Sequence, residues 1–160
     1  GSCTVLGDDN YLMGLSHVGH DCVIGNRVVI ANSALLSGHV TVEDNVFISG
    51  NTGIHQFVRI GRLAMVGGLA RVSKDIVPYV TVVGDNEVVG LNTEGLRRAG
   101  LTAAQRTVVR RAYRILFQSG LNTAQALREL ELLLPEPLIE HLIGFIRSAQ
   151  RGIAKPRSSQ

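Results

Sequence analysis

One spacing dominates the first half of the chain. Every sixth residue from Leu6 is aliphatic: Leu6, Leu12, Val18, Ile24, Ile30, Leu36, Val42, Ile48, Ile54, Ile60, Val66 and Val72. The residue after each is often small, as at Gly7, Gly19, Gly25, Ala31, Ser37, Ser49, Gly61, Gly67 and Ser73. The fourth after each is usually small or β-branched, from Cys22 and Val28 to Ala70 and Ile76. Neither the helical period of 3.6 nor strand alternation produces a strict six. A prism-shaped parallel β-helix does, with one hexad per face, the aliphatic pointing inward and the small residue turning the corner. Three hexads make an eighteen-residue coil, so residues 6–77 predict four coils. Neighbouring coils pair as parallel strands with their aliphatics stacked along the axis.

Pro78 closes the hexads, and residues 79–100 read as an irregular link rich in Gly and Asn. Thr102-Ala-Ala-Gln105 is a capping box, predicting a helix to about Ser119 with Gly120 as its C-terminal cap. Asn122 or Thr123 opens a second helix to about Leu134, and Pro137 a third with Leu138, Leu142, Phe145 and Ile146 on one face. The basic tail after Gly152 reads as frayed. The expected organisation is a β-helix with its link over residues 1–90 and a small helical domain over 91–160.

Composition narrows the class. Of the 160 residues 45% are hydrophobic and 18% charged, which excludes disorder, while aromatics at 4% and 18 glycines suit an aliphatic solenoid. Cys3 and Cys22 cannot form a disulfide framework and suit a reducing, cytoplasmic setting. No apolar stretch is long enough for a transmembrane segment, and no signal peptide opens the chain. A start at Gly1-Ser2, almost directly in a coil, suggests a processed or truncated N-terminus. The charge is split: residues 1–90 carry five bases against eight acids, and residues 91–160 eleven against five. Arg106, Arg110, Arg111 and Arg114 form a basic strip that reads either as a solvated helix face or as a surface to dock an acidic protein, and no recognised nucleic-acid-binding motif accompanies it.

The chemistry gathers at one edge. The eighteen-residue coil puts His20, Gly38 and Gln56 in register, with His39 and His55 beside them and His17 one corner-length earlier. Histidine serves as general base, donor or metal ligand. Asp21 adjoins His20 and can orient its ring, as in a His–Asp dyad, and Gly38 offers a bare N–H to a developing oxyanion. A zinc site of three histidines is the weaker reading, because the spacings of 19 (His20 to His39) and 16 (His39 to His55) lack a close pair. Cys22 falls in an inward slot and reads as packing rather than as a nucleophile.

Ser-His-Val-Gly-His-Asp-Cys (16–22), Ser-Gly-His-Val (37–40), Ile-His-Gln-Phe (54–57), Met-Val-Gly-Gly (65–68) and Asn-Thr-Glu-Gly-Leu-Arg-Arg (92–98) follow in order. This set resembles the later two-thirds of the acyl-carrier-protein–UDP-N-acetylglucosamine O-acyltransferases of lipid A synthesis, from about Asp8 to Ile153. The resemblance implies a left-handed β-helix, a homotrimer, and active sites in clefts between subunits. It implies transfer of a 3-hydroxyacyl group from acyl carrier protein to the glucosamine 3-position of UDP-N-acetylglucosamine. His20 would be the general base, Asp21 its support and Gly38 the oxyanion donor. His17, His39, His55 and Gln56 would bind substrate, with Asn92, Glu94 and Arg98 at the nucleotide and Gly68 limiting acyl length. No metal is implied, and no cofactor beyond the carrier's phosphopantetheine. The chain departs from the family in three ways. It has fewer early coils, a segment from Gly84 to Asn92 one residue short, and Ala99 where a second phosphate-side Arg is common. The alternatives are a non-catalytic trimeric scaffold or a zinc-dependent carbonic anhydrase.

Overall fold

The computed structural model describes residues 2–157. Its first part is twelve two-residue strands: β1 (Val5–Leu6), β2 (Tyr11–Leu12), β3 (His17–Val18), β4 (Val23–Ile24), β5 (Val29–Ile30), β6 (Leu35–Leu36), β7 (Thr41–Val42), β8 (Phe47–Ile48), β9 (Gly53–Ile54), β10 (Arg59–Ile60), β11 (Met65–Val66) and β12 (Arg71–Val72). The second residue of each is the hexad aliphatic. Strands pair in parallel with partners eighteen residues away, as in Leu6↔Ile24, Ile24↔Val42 and Val42↔Ile60. Three faces result: β1-β4-β7-β10, β2-β5-β8-β11 and β3-β6-β9-β12. The predicted parallel-strand solenoid of four coils is therefore observed. From Ile24 onward the hexad aliphatics are buried, whereas Leu6 and Leu12 in the first coil remain 50% and 42% exposed.

The corners are built differently from the expectation. Eleven successive residues, each third after a hexad aliphatic, take left-handed φ between 53° and 65°: Asp9, Leu15, Asp21, Arg27, Ser33, His39, Asn45, Asn51, Phe57, Leu63 and Leu69. None is glycine, although such a conformation costs a non-glycine residue roughly 1–2 kcal/mol. The neighbouring coil holds the eight from Arg27 to Leu69 there: the N–H groups of His39, Asn45, Phe57 and Leu63, for example, donate to His20, Asn26, Gly38 and Asp44 carbonyls. The small residue beside the aliphatic serves close approach instead. A Cβ at Gly25 would lie 2.4 Å from Asp44 Oδ1, and one at Gly61 2.4 Å from Pro78 N.

The expected irregular link is largely regular. Strand β13 (Val80–Val83) continues the second face in parallel with β11, and β14 (Glu87–Leu91) folds back antiparallel through Gly84 and Asn86, both at positive φ. Four helices follow: α1 (Thr93–Arg98), α2 (Ala103–Phe117), α3 (Thr123–Glu131) and α4 (Pro137–Arg147). Both capping boxes form, Thr102 with Gln105 and Asn122 with Gln125, and Pro137 sits in the first turn of α4. α3 ends at Glu131, short of the expected Leu134. The helices share the solenoid's apolar core, and the buried Tyr79 hydroxyl donates to Leu138 O at 3.0 Å. No helix among the described residues is long and apolar enough to cross a membrane.

The tail is anchored where fraying was expected. Asp75 N donates to Gly152 O, Ala154 N to Asp75 O and Val88 N to Lys155 O, while Ile153 and Ala154 are buried. The part of that expectation concerning residues 158–160 lies outside the described residues. The Asp75 carboxylate beneath this clamp is 1% exposed and accepts from Arg59 N at 2.9 Å. Burial pushes its pKa up, partly offset by that bond and the Arg59 charge.

The close approach between coils gives a direct check. Gly61→Ala forces its methyl into the backbone at Pro78 and should cost about 1–3 kcal/mol in chemical denaturation. Gly53→Ala, with nothing within 4 Å of the added carbon, should stay within about 0.5 kcal/mol of the parent. Equal losses in the two variants would show that crowding between coils is not what selects glycine.

Candidate active site

The edge between the β3-β6-β9 face and the β4-β7-β10 face carries the histidines. His20 Nδ1 lies 2.7 Å from Asp21 Oδ2, and His39 Nε2 lies 3.7 Å from the same oxygen. The His20 and His39 rings meet edge to face, centroids 5.0 Å apart. The His20 hydrogen bond holds the Asp21 carboxyl below its ordinary range, with smaller help from the His39 and His20 charges and against partial desolvation. An ionised Asp21 must accept from Nδ1–H, which leaves the His20 Nε2 lone pair directed away from the carboxylate. His20 is largely exposed, which leaves its Nε2 open to solvent.

Gly38 sits beneath this ring on the next coil. A Cβ there would stand 2.5 Å from His20 Nε2 and 2.6 Å from Cε1. Only glycine admits the imidazole this close, and the Gly38 N–H meets no protein acceptor among the described residues. Gln56 follows in the same column, and His55 precedes it with Nδ1 3.2 Å from Gln56 O. His17 stands on β3 opposite Leu35, on the face rather than the corner, and joins none of these contacts among the described residues.

Two residues here escaped the sequence reading. Phe57 stacks on His39 with centroids 4.7 Å apart and planes at 11°; counting eighteen from Asp21 and His39 would have reached it. Arg151 comes from the far end of the chain, its Nη2 3.2 Å from His55 Nδ1, and no local pattern signals that. Cys22 is buried, donates to Ser37 O at 3.1 Å and has its thiol pKa pushed up by burial, which suits packing.

The residues that the resemblance assigns to a nucleotide lie at another corner. A cavity of about 490 Å³ between α1 and the solenoid is lined by Arg27, Phe47, Met65, Glu94 and Arg98, among others. Glu94 bridges Arg97 at 2.7 Å and Arg98 at 3.0 Å, all three exposed. Asn92 is committed structurally: its Oδ1 accepts from Gly95 N and its Nδ2 donates to Leu63 O. Gly68 marks the third corner, where an added Cβ would meet nothing nearer than Gly50 O at 3.6 Å. One chain thus distributes the expected residues over all three corners and does not gather them into one site.

His20, Asp21 and His39 hold three ligand atoms within 4.8 Å of one another, a donor set a divalent metal accepts. In the arrangement present, His20 Nδ1 and Asp21 Oδ2 are spent on each other.

A solenoid of hexapeptide coils bearing histidines on one edge defines the hexapeptide-repeat transferase class, and bacterial transferase hexapeptide repeats match residues 3–38. The second domain of UDP-N-acetylglucosamine O-acyltransferase matches residues 75–154, half of the chain, and the chain belongs to that family. The acyl-[acyl-carrier-protein]–UDP-N-acetylglucosamine O-acyltransferase of Anaeromyxobacter dehalogenans is 45% identical over 97% of this chain and 61% of its own length. The enzyme so named from Gloeothece citriformis is 45% identical over 91% of this chain and 53% of its own. Among solved structures, the Francisella novicida UDP-N-acetylglucosamine acyltransferase superposes with TM-score 0.92 at 34% identity, covering 96% of this chain and 57% of that one. The Moraxella catarrhalis O-acyltransferase gives 0.89 at 40%, covering 94% and 60%. The chain spans about 61% of the first of these curated relatives.

The contact between Gly38 and His20 is testable alone. Gly38→Ala should push the ring off Asp21 and change the His20 imidazole resonances in NMR, with the fold retained. Unchanged His20 resonances would contradict this packing.

Proposed function

We propose that the chain transfers a 3-hydroxyacyl group from acyl carrier protein to the glucosamine 3-hydroxyl of UDP-N-acetylglucosamine. The observation that carries this reading is the 2.7 Å His20–Asp21 pair packed against Gly38. A sugar hydroxyl is a poor nucleophile at neutral pH, and a positioned base contributes about 10²–10⁴-fold. His20 Nε2 takes the hydroxyl proton as the oxygen attacks the thioester carbonyl, and Asp21 stabilises the imidazolium. The Gly38 N–H donates to the oxyanion. Collapse expels the pantetheine thiolate, which recovers the proton from His20. His39, His55 and Gln56 line the approach for substrate, with His17 on the adjoining face. The carrier's phosphopantetheine is part of the donor, and the mechanism uses no metal or other cofactor.

The separation of corners supports a homotrimer. Arg98 and Glu94 of one chain reach the His20 edge only if they come from a neighbouring copy, which closes the site in the cleft between subunits. There Arg98 takes the diphosphate. Asn92 acts through α1, whose N-terminus it caps. The open space at Gly68 fits a long hydroxyacyl chain. Arg110, Arg111 and Arg114 on α2 are exposed and would steer the acidic carrier protein, whereas Arg106 is spent on Leu101 O. The reaction supplies the first intermediate of lipid A in the cytoplasm.

The test is mass-spectrometric detection of acylated UDP-N-acetylglucosamine from the purified chain with 3-hydroxyacyl carrier proteins of several lengths. Product is expected from the parent, with at least a hundredfold loss in His20→Ala at unchanged assembly state. No product from a confirmed trimer would favour a non-catalytic scaffold instead.

A further inference from the structure

His55 Nδ1 faces two groups of opposite kind. Gln56 O, 3.2 Å away, only accepts, and Arg151 Nη2, also 3.2 Å away, only donates. A neutral imidazole has one N–H and one lone pair, so Nδ1 satisfies one of them and not both. We propose that Arg151 is a positioning residue that fixes the tautomer of His55, keeping the lone pair on Nδ1 and the hydrogen on Nε2.

The guanidinium decides the contest because it stays charged and has no acceptor to offer. Its hydrogen bond to Nδ1 is charge-assisted, about twice as strong as one between neutral groups such as imidazole N–H and the Gln56 carbonyl. With the lone pair held on Nδ1 by Arg151, the neutral imidazole turns an N–H, rather than a lone pair, outward at Nε2.

Arg151 is held in place for this task. Its Nε donates to Ser73 O at 3.3 Å, and Gly152, at φ 72°, redirects the chain into the clamp on Asp75. Gly152 O and Ala154 N are both bonded to the Asp75 backbone, and the buried Ile153 lies between them. A tail residue thus sets the hydrogen-bonding sense of a side chain next to the His20–Gly38–Gln56 column. Resting on the acyl-transfer reading of that corner, the Nε2–H is a donor for an acceptor oxygen of the acyl donor.

The experiment is long-range ¹H–¹⁵N NMR of histidine-labelled protein at about pH 8, above the ordinary histidine range, with the His55 signals assigned from their absence in His55→Gln. Wild type should show an unprotonated Nδ1 and a protonated Nε2. Arg151→Ala should move the proton toward Nδ1, now bonded to Gln56 O, and Arg151→Lys should restore the wild-type pattern. In kinetics with acyl carrier protein, Arg151→Ala should lower kcat/KM about tenfold through KM, with Arg151→Lys within about threefold of the parent. A wild-type His55 already protonated at Nδ1 overturns the proposal without any variant having to fold. So does a tautomer that Arg151→Ala leaves unchanged, or a switched tautomer with unchanged kinetics. Absence of acyl transfer alongside the expected wild-type tautomer would count against the reaction and not against Arg151's control of His55.

Discussion

The parallel register of eighteen residues is the constraint on which everything else rests. Each short strand donates and accepts along the coil axis, so a residue at any position repeats its environment eighteen residues later. That ladder stacks Ile24 on Val42 on Ile60 in the dry interior, and with equal strictness stacks His20, Gly38 and Gln56 outside. It also holds the non-glycine corner residues from Arg27 to Leu69 in left-handed conformation, an expense met by carbonyls of the adjoining coil. A shift of one residue would expose every aliphatic and scatter the histidines.

The C-terminal part completes the solenoid in more than a mechanical sense. β13 and β14 prolong one face, α1 builds the wall of the 490 Å³ cavity, and residues 152–155 return to clamp Asp75. Through that return Arg151 reaches His55, so the histidine edge is finished by a residue 96 positions away. The buried Asp75 at the clamp keeps an elevated pKa, so its ionised form costs stability at neutral pH. That cost disappears as the pH falls through the folded-state value toward the ordinary carboxylate range.

Periodicity made the solenoid legible because a six-residue repeat leaves few architectures, and the same frame placed His20, Gly38, His39, His55 and Gln56 by counting. The helix starts were equally readable from Thr102, Asn122 and Pro137, whose capping chemistry is local. Loss of the hexad frame after Pro78 hid the hairpin, although Val80-Thr-Val-Val and Val88-Val89 around a Gly-Asp-Asn-Glu turn follow strand rules. Corner geometry stayed hidden because Leu, Arg and Phe do not announce positive φ; only the neighbouring coil imposes it. The Arg151 contact and the bond from the Asn92 Nδ2 to Leu63 O arise from tertiary packing and leave no trace in local sequence.

Within one chain, the His20 edge and the Arg98 cavity occupy different corners of the prism, and the proposed reaction needs both. Their union across a subunit boundary is the central claim. Subunit complementation measures it most directly: His20→Ala and Arg98→Ala chains, each impaired alone, are unfolded together, refolded as mixed trimers and assayed for acylated UDP-N-acetylglucosamine. Mixing should restore activity, because some clefts then pair an intact His20 with an intact Arg98. Activity no greater than the sum of the two separate variants, in trimers shown to be mixed, would contradict a site shared between chains.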